Sequence, residues 1–382
     1  MLRTLAMLLA PTLTLAACTT AAPTNQGAAS VAGDSSPLDN VVKRTFTAYG
    51  FKLDSGRVLP EMSLAYETYG RLAPDGRNAI LVTHGFTSSQ HAAGKYSPSD
   101  PTAGSWDGLI GPGKAIDTTR FFVVSSNMLG SSYGSTAPAS PNPATGKPYG
   151  PDFPDITVRD IVRAQKLLLA ALNVNHLVAV AGPSYGGFQA FQWAVTYPDF
   201  MYGIVPVVTA PRMRAATDAA QSLINRFATD PGWNGGWHYD RGGIPKTMAA
   251  LRYETLLSYG QNEILAVRIP DDAERQARLR QMAEAWAREF DPNSMVTLRK
   301  ALQSYDTTGD FGKIRARVLY VLSRTDKLFP PSIAPEVMEG LAKAGVDAQY
   351  VEIDTEFGHS ASGPEWAKWG PALKTFIDSL GR

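Results

Sequence analysis

Between Lys43 and Gly70 apolar and polar residues alternate, as in Phe46-Thr-Ala-Tyr49, Phe51-Lys-Leu53 and Met62-Ser-Leu-Ala-Tyr66. That period of two predicts antiparallel strands with one face covered. Beyond this region the alternation gives way to short continuous apolar runs: Ala79–Thr83, Phe121–Ser126, Val178–Ala181, Ile204–Val208, Arg317–Ser323 and Gln349–Ile353. Such runs predict strands buried on both faces, as in a parallel sheet. Helix-length segments separate several of them. Ile156–Leu172 has Thr157 as a candidate N-cap and Asp160 in its first turn, and Trp366–Leu380 closes the chain. The alternation of strand and helix predicts an α/β fold with a mainly parallel, doubly wound sheet. From Ala210 to about Asp310 this rhythm stops. Thr217–Phe227, Pro245–Tyr259, Asp271–Glu289 and Asn293–Leu302 read as helices, with Trp233, Trp237 and Trp286 in or near them. This segment is expected to be a helical lid whose aromatic residues form its own core.

The domain plan follows: a core from 39–209 and 311–382, interrupted by a lid at 210–310. Residues 1–18 read as a targeting segment, with Arg3 followed by a short apolar run from Leu5 to Ala16. That run is too short to span a membrane. Leu15-Ala-Ala-Cys18 resembles the lipobox of bacterial lipoproteins, and Cys18 is the chain's one cysteine. Residues 19–38 are rich in Ala, Ser, Thr and Gly and read as a flexible tether. Together these segments predict an exported protein, lipid-anchored through Cys18 on the periplasmic or outer face of a bacterial membrane.

Composition narrows the chemistry. A formal net charge of +1 in 382 residues offers no basic surface for nucleic acid. One cysteine allows neither an internal disulfide nor a cysteine zinc site, and the five histidines lack metal-ligand spacing. No phosphate-cradling glycine motif is present, so neither a metal nor a cofactor is expected.

The candidate chemistry lies in Val178-Ala-Val-Ala-Gly182-Pro-Ser184-Tyr-Gly186-Gly187 and the helix-length Phe188–Ala194 that follows. A strand, a G-x-S-x-G turn and a helix make a nucleophile elbow, in which Ser184 stands clear of the sheet edge. Gly182 and Gly186 are expected because a Cβ at either place would crowd the turn. A serine hydroxyl needs a base, and the base needs an acid. Asp326 falls just beyond the strand ending at Ser323, and His359 beyond the strand ending at Ile353, giving the chain order serine, acid, histidine. Asp354 is the rival acid. The turn His84-Gly85-Phe86-Thr87 after the Ala79 strand is placed to supply the backbone N–H of Phe86 to an oxyanion hole, with that of Tyr185 as the second donor. His84 reads as structural. The long stretch from Asn127 to Pro154 reads as wall of the cleft.

Longer motifs carry a family resemblance. Gly111-Pro-Gly-Lys114, Asn127-Met-Leu-Gly130, Asn142-Pro-Ala-Thr-Gly-Lys-Pro-Tyr149, Asp291-Pro-Asn-Ser294, Leu328-Phe-Pro-Pro331 and Gly358-His359 resemble homoserine O-acetyltransferases of the α/β-hydrolase fold. The resemblance implies Ser184, Asp326 and His359 as a triad, a ping-pong route through acyl-Ser184, and a homodimer. It also locates departures. Ser360 follows the histidine where the family has an aspartate for the homoserine amino group. Ala249 aligns with the arginine that holds the homoserine carboxylate, and Arg252, one turn along, is the candidate substitute if it faces inward, so that Arg252 and Ser360 are the candidate substrate contacts. Tyr185 replaces the usual methionine. With both charges of a zwitterion unpaired, the expectation is an exported serine hydrolase cleaving a small ester or activated amide. Acyl transfer to a small hydroxyl or amine is the alternative.

Overall fold

The computed structural model describes residues 38–213 and 218–380. Cys18, the targeting segment and nearly all of the tether lie outside these residues. The strands are β1 (Arg44–Lys52), β2 (Val58–Tyr69), β3 (Ala79–Val82), β4 (Ile110–Gly111), β5 (Ile116–Asp117), β6 (Phe122–Ser126), β7 (Leu177–Pro183), β8 (Met201–Val207), β9 (Arg317–Ser323) and β10 (Ala348–Ile353). Eight of them form one sheet in the order β1-β2-β6-β3-β7-β8-β9-β10, and β4 and β5 pair separately. β1, β2 and β6 pair antiparallel, and the pairs from β6 to β10 are parallel. This is the α/β-hydrolase fold, with the elbow on the central strand β7.

Both faces of the sheet are covered, which explains the continuous apolar runs. One face packs Leu81, Val180 and Ile204 against helices α1 (Val158–Ala171) and α2 (Tyr185–Thr196). The other packs Ile80, Ala179 and Val205 against Trp369, Leu373 and Phe376, near the C-terminus. Thr157 caps α1 through a reciprocal pair with Asp160, as its spacing suggested.

Five helices lie between β8 and β9: α3 (Ala219–Ala228), α4 (Pro245–Ser258), α5 (Gln261–Ala266), α6 (Asp272–Ala287) and α7 (Pro292–Ala301). The short α5 was not legible in the periodicity, nor was α8 (Ala334–Lys343) after β9; α9 (Trp366–Asp378) ends the described chain. Trp233 and Trp286 are buried as expected of lid core, whereas Trp237 is 41% exposed. The 127–154 stretch differs from its expected role. Met128, Leu129, Tyr149 and Phe153 turn into the main core. No residue of that stretch lines the main cavity.

One buried charge holds the loop that follows the Phe86 turn. Glu67 on β2 is fully buried, and it accepts hydrogen bonds from Tyr69 Oη at 2.5 Å, Tyr96 Oη at 2.6 Å and Gln90 Nε2 at 3.3 Å. His91 Nδ1 lies 3.1 Å from the same carboxylate. Three of these partners belong to the segment after Phe86, so the carboxylate pins that segment to β2. Glu67→Ala should strand these donors and lower stability by about 2–3 kcal/mol, as loss of charged hydrogen bonds does. Chemical denaturation measures this, and a shift under about 0.5 kcal/mol, the scale of a surface substitution, would show that the network does not brace the loop.

Candidate active site

The elbow is strained. Ser184 has φ 55° and ψ −117°, between the end of β7 and the first turn of α2. Its N–H donates to Val207 C=O at 2.8 Å, and Thr209 Oγ1 donates to its carbonyl at 2.8 Å. The two glycines are needed for closeness. A Cβ on Gly182 would lie 2.1 Å from Thr83 Oγ1, and one on Gly186 would lie 2.8 Å from Thr83 O. Thr83 Oγ1 itself donates to Gly186 C=O at 2.9 Å. Thr83 follows β3 and leads into the Phe86 turn, so elbow and turn are locked at backbone contact.

The three sequence-selected side chains meet. His359 Nε2 lies 2.8 Å from Ser184 Oγ, and His359 Nδ1 lies 2.8 Å from Asp326 Oδ2. Asp326 and His359 are buried. The other oxygen of Asp326 accepts the N–H groups of Leu328 at 2.8 Å and Phe329 at 3.2 Å. This fixes the carboxylate toward the imidazole. The rival Asp354 is exposed and pairs with Arg324 at 2.6 Å, away from His359. Tyr259 sets its ring edge against His359, with centroids 4.7 Å apart.

Phe86 and Ser184 line the same cavity. Phe86 N–H enters no hydrogen bond among the described residues, and Tyr185 N–H is the first amide of α2, without a partner inside the helix. Two free N–H groups beside a serine hydroxyl can receive a developing oxyanion. Tyr185 also stacks on Phe86 at 6.0 Å and donates its hydroxyl to Leu298 C=O at 3.1 Å. Burial raises the Tyr185 phenol pKa, so it stays neutral. His84 is structural: Nε2 meets Asn127 Oδ1 at 2.7 Å and Nδ1 meets Gly85 C=O at 2.8 Å. Burial lowers its pKa and keeps it uncharged.

Ala249, aligned with a carboxylate-binding arginine, packs against the main core. Arg252, one turn along, lies beside the Phe86 turn and is not among the residues that line the main cavity. Spacings of three and four place it on one stripe with Thr255 and Tyr259, both of which line the cavity. Its Nη1 donates to Thr87 Oγ1 at 2.7 Å, and its guanidinium stands 5.0 Å from the Trp286 ring centroid. Among the described residues it makes no salt bridge. Burial lowers its pKa, opposed by Tyr259 and Tyr133. Trp286 had signalled only core, yet its Nε1–H donates to Thr87 C=O at 3.1 Å. Ser360 donates its backbone N–H to Tyr259 C=O at 2.9 Å and supplies no charge.

Comparison with known proteins agrees with this geometry. Residues 78–363 match the family model described as alpha/beta hydrolase fold. The homoserine O-acetyltransferase of Symbiobacterium thermophilum is 40% identical over 351 residues, 86% of this chain and 92% of that protein. The crystal structure of homoserine O-acetyltransferase from Bacillus anthracis superposes with a TM-score of 0.82 at 29% identity, covering 90% of this chain and 99% of that one. A crystal structure of an esterase gives a TM-score of 0.81 at 31% identity, covering 88% of this chain and all of that one.

Two substitutions probe the site. Ser184→Ala should abolish covalent labelling by a fluorophosphonate, and full labelling of that variant would remove Ser184 from the chemistry. Gly182→Ala forces the elbow off Thr83, and a displacement of about 1 Å costs on the order of a hundredfold in turnover. Retention of full esterase turnover by this variant would show that the contact is slack.

Proposed function

The chain belongs to the α/β-hydrolase family, in its homoserine O-acetyltransferase-like branch, and from that premise we propose an acyl-transfer enzyme working through Ser184. His359 Nε2 takes the Ser184 proton as Oγ attacks the carbonyl carbon of an acyl ester or thioester. The tetrahedral oxyanion is held by Phe86 N–H and Tyr185 N–H, donors worth about 3 kcal/mol each. Asp326 holds Nδ1–H and stabilises the imidazolium. Collapse breaks the bond to the leaving alcohol or thiol, which takes the proton from His359. An acceptor hydroxyl then gives its proton to His359 and attacks acyl-Ser184, reversing these steps.

The observation that carries transfer is Arg252. A part-buried guanidinium without a carboxylate partner, beside the Phe86 turn and one helix stripe from Tyr259, is costly unless an anion joins it. An acceptor bearing a hydroxyl and a carboxylate meets that need with a bidentate contact. This supports a small hydroxy acid or hydroxy amino acid such as homoserine as acceptor. A second reading, ester hydrolysis, is favoured by Ser360, which offers no charge to an acceptor ammonium, and by the likeness to an esterase.

With a short-acyl ester donor and millimolar homoserine, mass spectrometry of products separates the two. Transfer predicts O-acylhomoserine in excess of free acid, and Arg252→Gln should lower transfer efficiency about ten- to a hundredfold, the scale of a lost charged hydrogen bond. Free acid alone, at a rate indifferent to homoserine, would leave hydrolysis as the activity.

Leu15-Ala-Ala-Cys18 and the tether behind it support export and anchoring by lipid on Cys18. The intact protein should fractionate with membranes, and Cys18→Ala should release it or leave it uncleaved. Unmodified protein with Met1 retained in the cytosol would overturn this part of the proposal.

A further inference from the structure

The main cavity holds about 1090 Å³, at or above the upper end of ordinary small-molecule sites. A two-carbon acyl group fills little of it. From Ser184 the lining is largely hydrocarbon and aromatic, including Phe188, Leu223, Met295, Leu302, Phe311 and Val337. Four cationic side chains interrupt this lining among the described residues, and three are already matched. Arg212 pairs with Glu336. Arg226 makes a two-pronged contact with Glu254 at 2.6 and 2.8 Å. Lys343 pairs with Glu339 at 2.5 Å.

Arg299 differs. It lies in the last turn of α7, part-buried against the cavity, and its side chain makes no hydrogen bond or ion pair with any described residue. Its position is at the nucleophile end. The adjacent Leu298 C=O accepts the Tyr185 hydroxyl, and the Arg299 charge acts on both Tyr185 and Tyr259. Its neighbour Lys300 points elsewhere, to Asp155 at 3.0 Å. An unmatched cation in an apolar wall is a receiver for an anion. Tyr185 supplies an oxyanion donor and packs on Phe86, so its flank borders the acyl group. The acceptor side is served by Arg252 across Tyr259.

We propose that Arg299 receives an acidic group at the far end of the acyl chain, so that the substrates are esters or thioesters of mainly hydrocarbon acyl groups ending in a carboxylate. This rests on the acyl-Ser184 reading and names the substrate class of the same site. The bond changes are those already described, and Arg299 takes no part in proton transfer.

The test compares mono-p-nitrophenyl esters of glutaric, adipic and suberic acids with the same esters methylated at the free carboxyl. Ser184 is titrated with a fluorophosphonate in every preparation to count folded sites. The wild-type protein should favour the acid over its methyl ester about ten- to a hundredfold in kcat/KM for at least one chain length, with the preference falling as salt rises. In Arg299→Met that ratio should drop close to one, and Arg299→Lys should retain part of it. A wild-type ratio near one, or a ratio unchanged in Arg299→Met, would overturn the assignment without touching the acyl-enzyme reading. An Arg299-dependent preference for acetate esters of a carboxyphenol would place the acidic group on the alcohol and overturn it equally. No turnover of any ester, with Ser184 unlabelled in the wild type, would remove the acyl-enzyme reading and this inference with it.

Discussion

Everything in the site depends on holding Ser184 in a backbone conformation that a serine avoids. A residue at φ 55° and ψ −117° costs on the order of 1–3 kcal/mol and persists only where its surroundings fix it. The fixing is supplied from three sides. Behind, Val207 C=O takes the Ser184 N–H and Thr209 Oγ1 donates to the Ser184 carbonyl. Beneath, Val208 is also left-handed, at φ 44°, and donates its N–H to Val321 C=O on β9 at 2.7 Å. To the side, Gly182 and Gly186 close on Thr83 at distances that exclude any side chain. Four adjacent parallel strands thus share the load, and the burial of both sheet faces keeps them from relaxing.

The lid belongs to the same mechanical unit. Helix α4 touches the oxyanion turn through Arg252 on Thr87, and it touches the histidine loop through Tyr259 C=O on Ser360 N–H. Gly260, at φ 86°, ends α4 so close to Phe357 that a Cβ would lie 2.3 Å from its carbonyl oxygen. Helix α6 adds Trp286 on the Thr87 carbonyl. The Phe86 turn and the His359 loop are therefore spaced by one helix. On the proposed reading, an anion that draws Arg252 would also act on Thr87, next in the chain to Phe86, and so couple acceptor binding to oxyanion geometry.

Much of this was legible in the residues because it is governed by local rules. Continuous apolar runs marked the buried strands, and Gly182, Ser184 and Gly186 between a strand and a helix marked the elbow. Strand ends at Ser323 and Ile353 located Asp326 and His359, where the structure also separates Asp326 from Asp354 by burial and partner. What failed was long-range or one-sided. The glycine- and proline-rich 127–154 stretch has the composition of a loop, but its few large apolar residues decide its fate and pull it into the core. Arg252 was legible as a candidate but its direction was not, because residues three apart on a helix lie on neighbouring faces and only packing separates Ala249 from it. The tie between Trp286 and Thr87 joins residues 199 apart in sequence, and no local pattern reports such a pair.

In the proposed route, whether acyl-Ser184 would pass its group to water or to another hydroxyl is a question of charge in the pocket rather than of the triad, which would serve both. The acids near the nucleophile are committed: Asp326 to His359, Glu254 to Arg226 and Glu336 to Arg212. On the proposed transfer, an acceptor's ammonium would meet none of them free, while its carboxylate would have to reach Arg252 beside the Phe86 turn. A zwitterion therefore gains one charged contact and loses the hydration of the other charge, a penalty of about 1–3 kcal/mol if that group is left unpaired. Water carries no such cost, and any acceptor hydroxyl must lie in line with His359 Nε2. Positioning an acceptor hydroxyl there is worth as much as about 7–11 kcal/mol in favourable intramolecular cases, so even a weakly held acceptor competes once its carboxylate is seated. The decisive structural variable is how much of that seating one arginine can achieve without a partner acid at position 360.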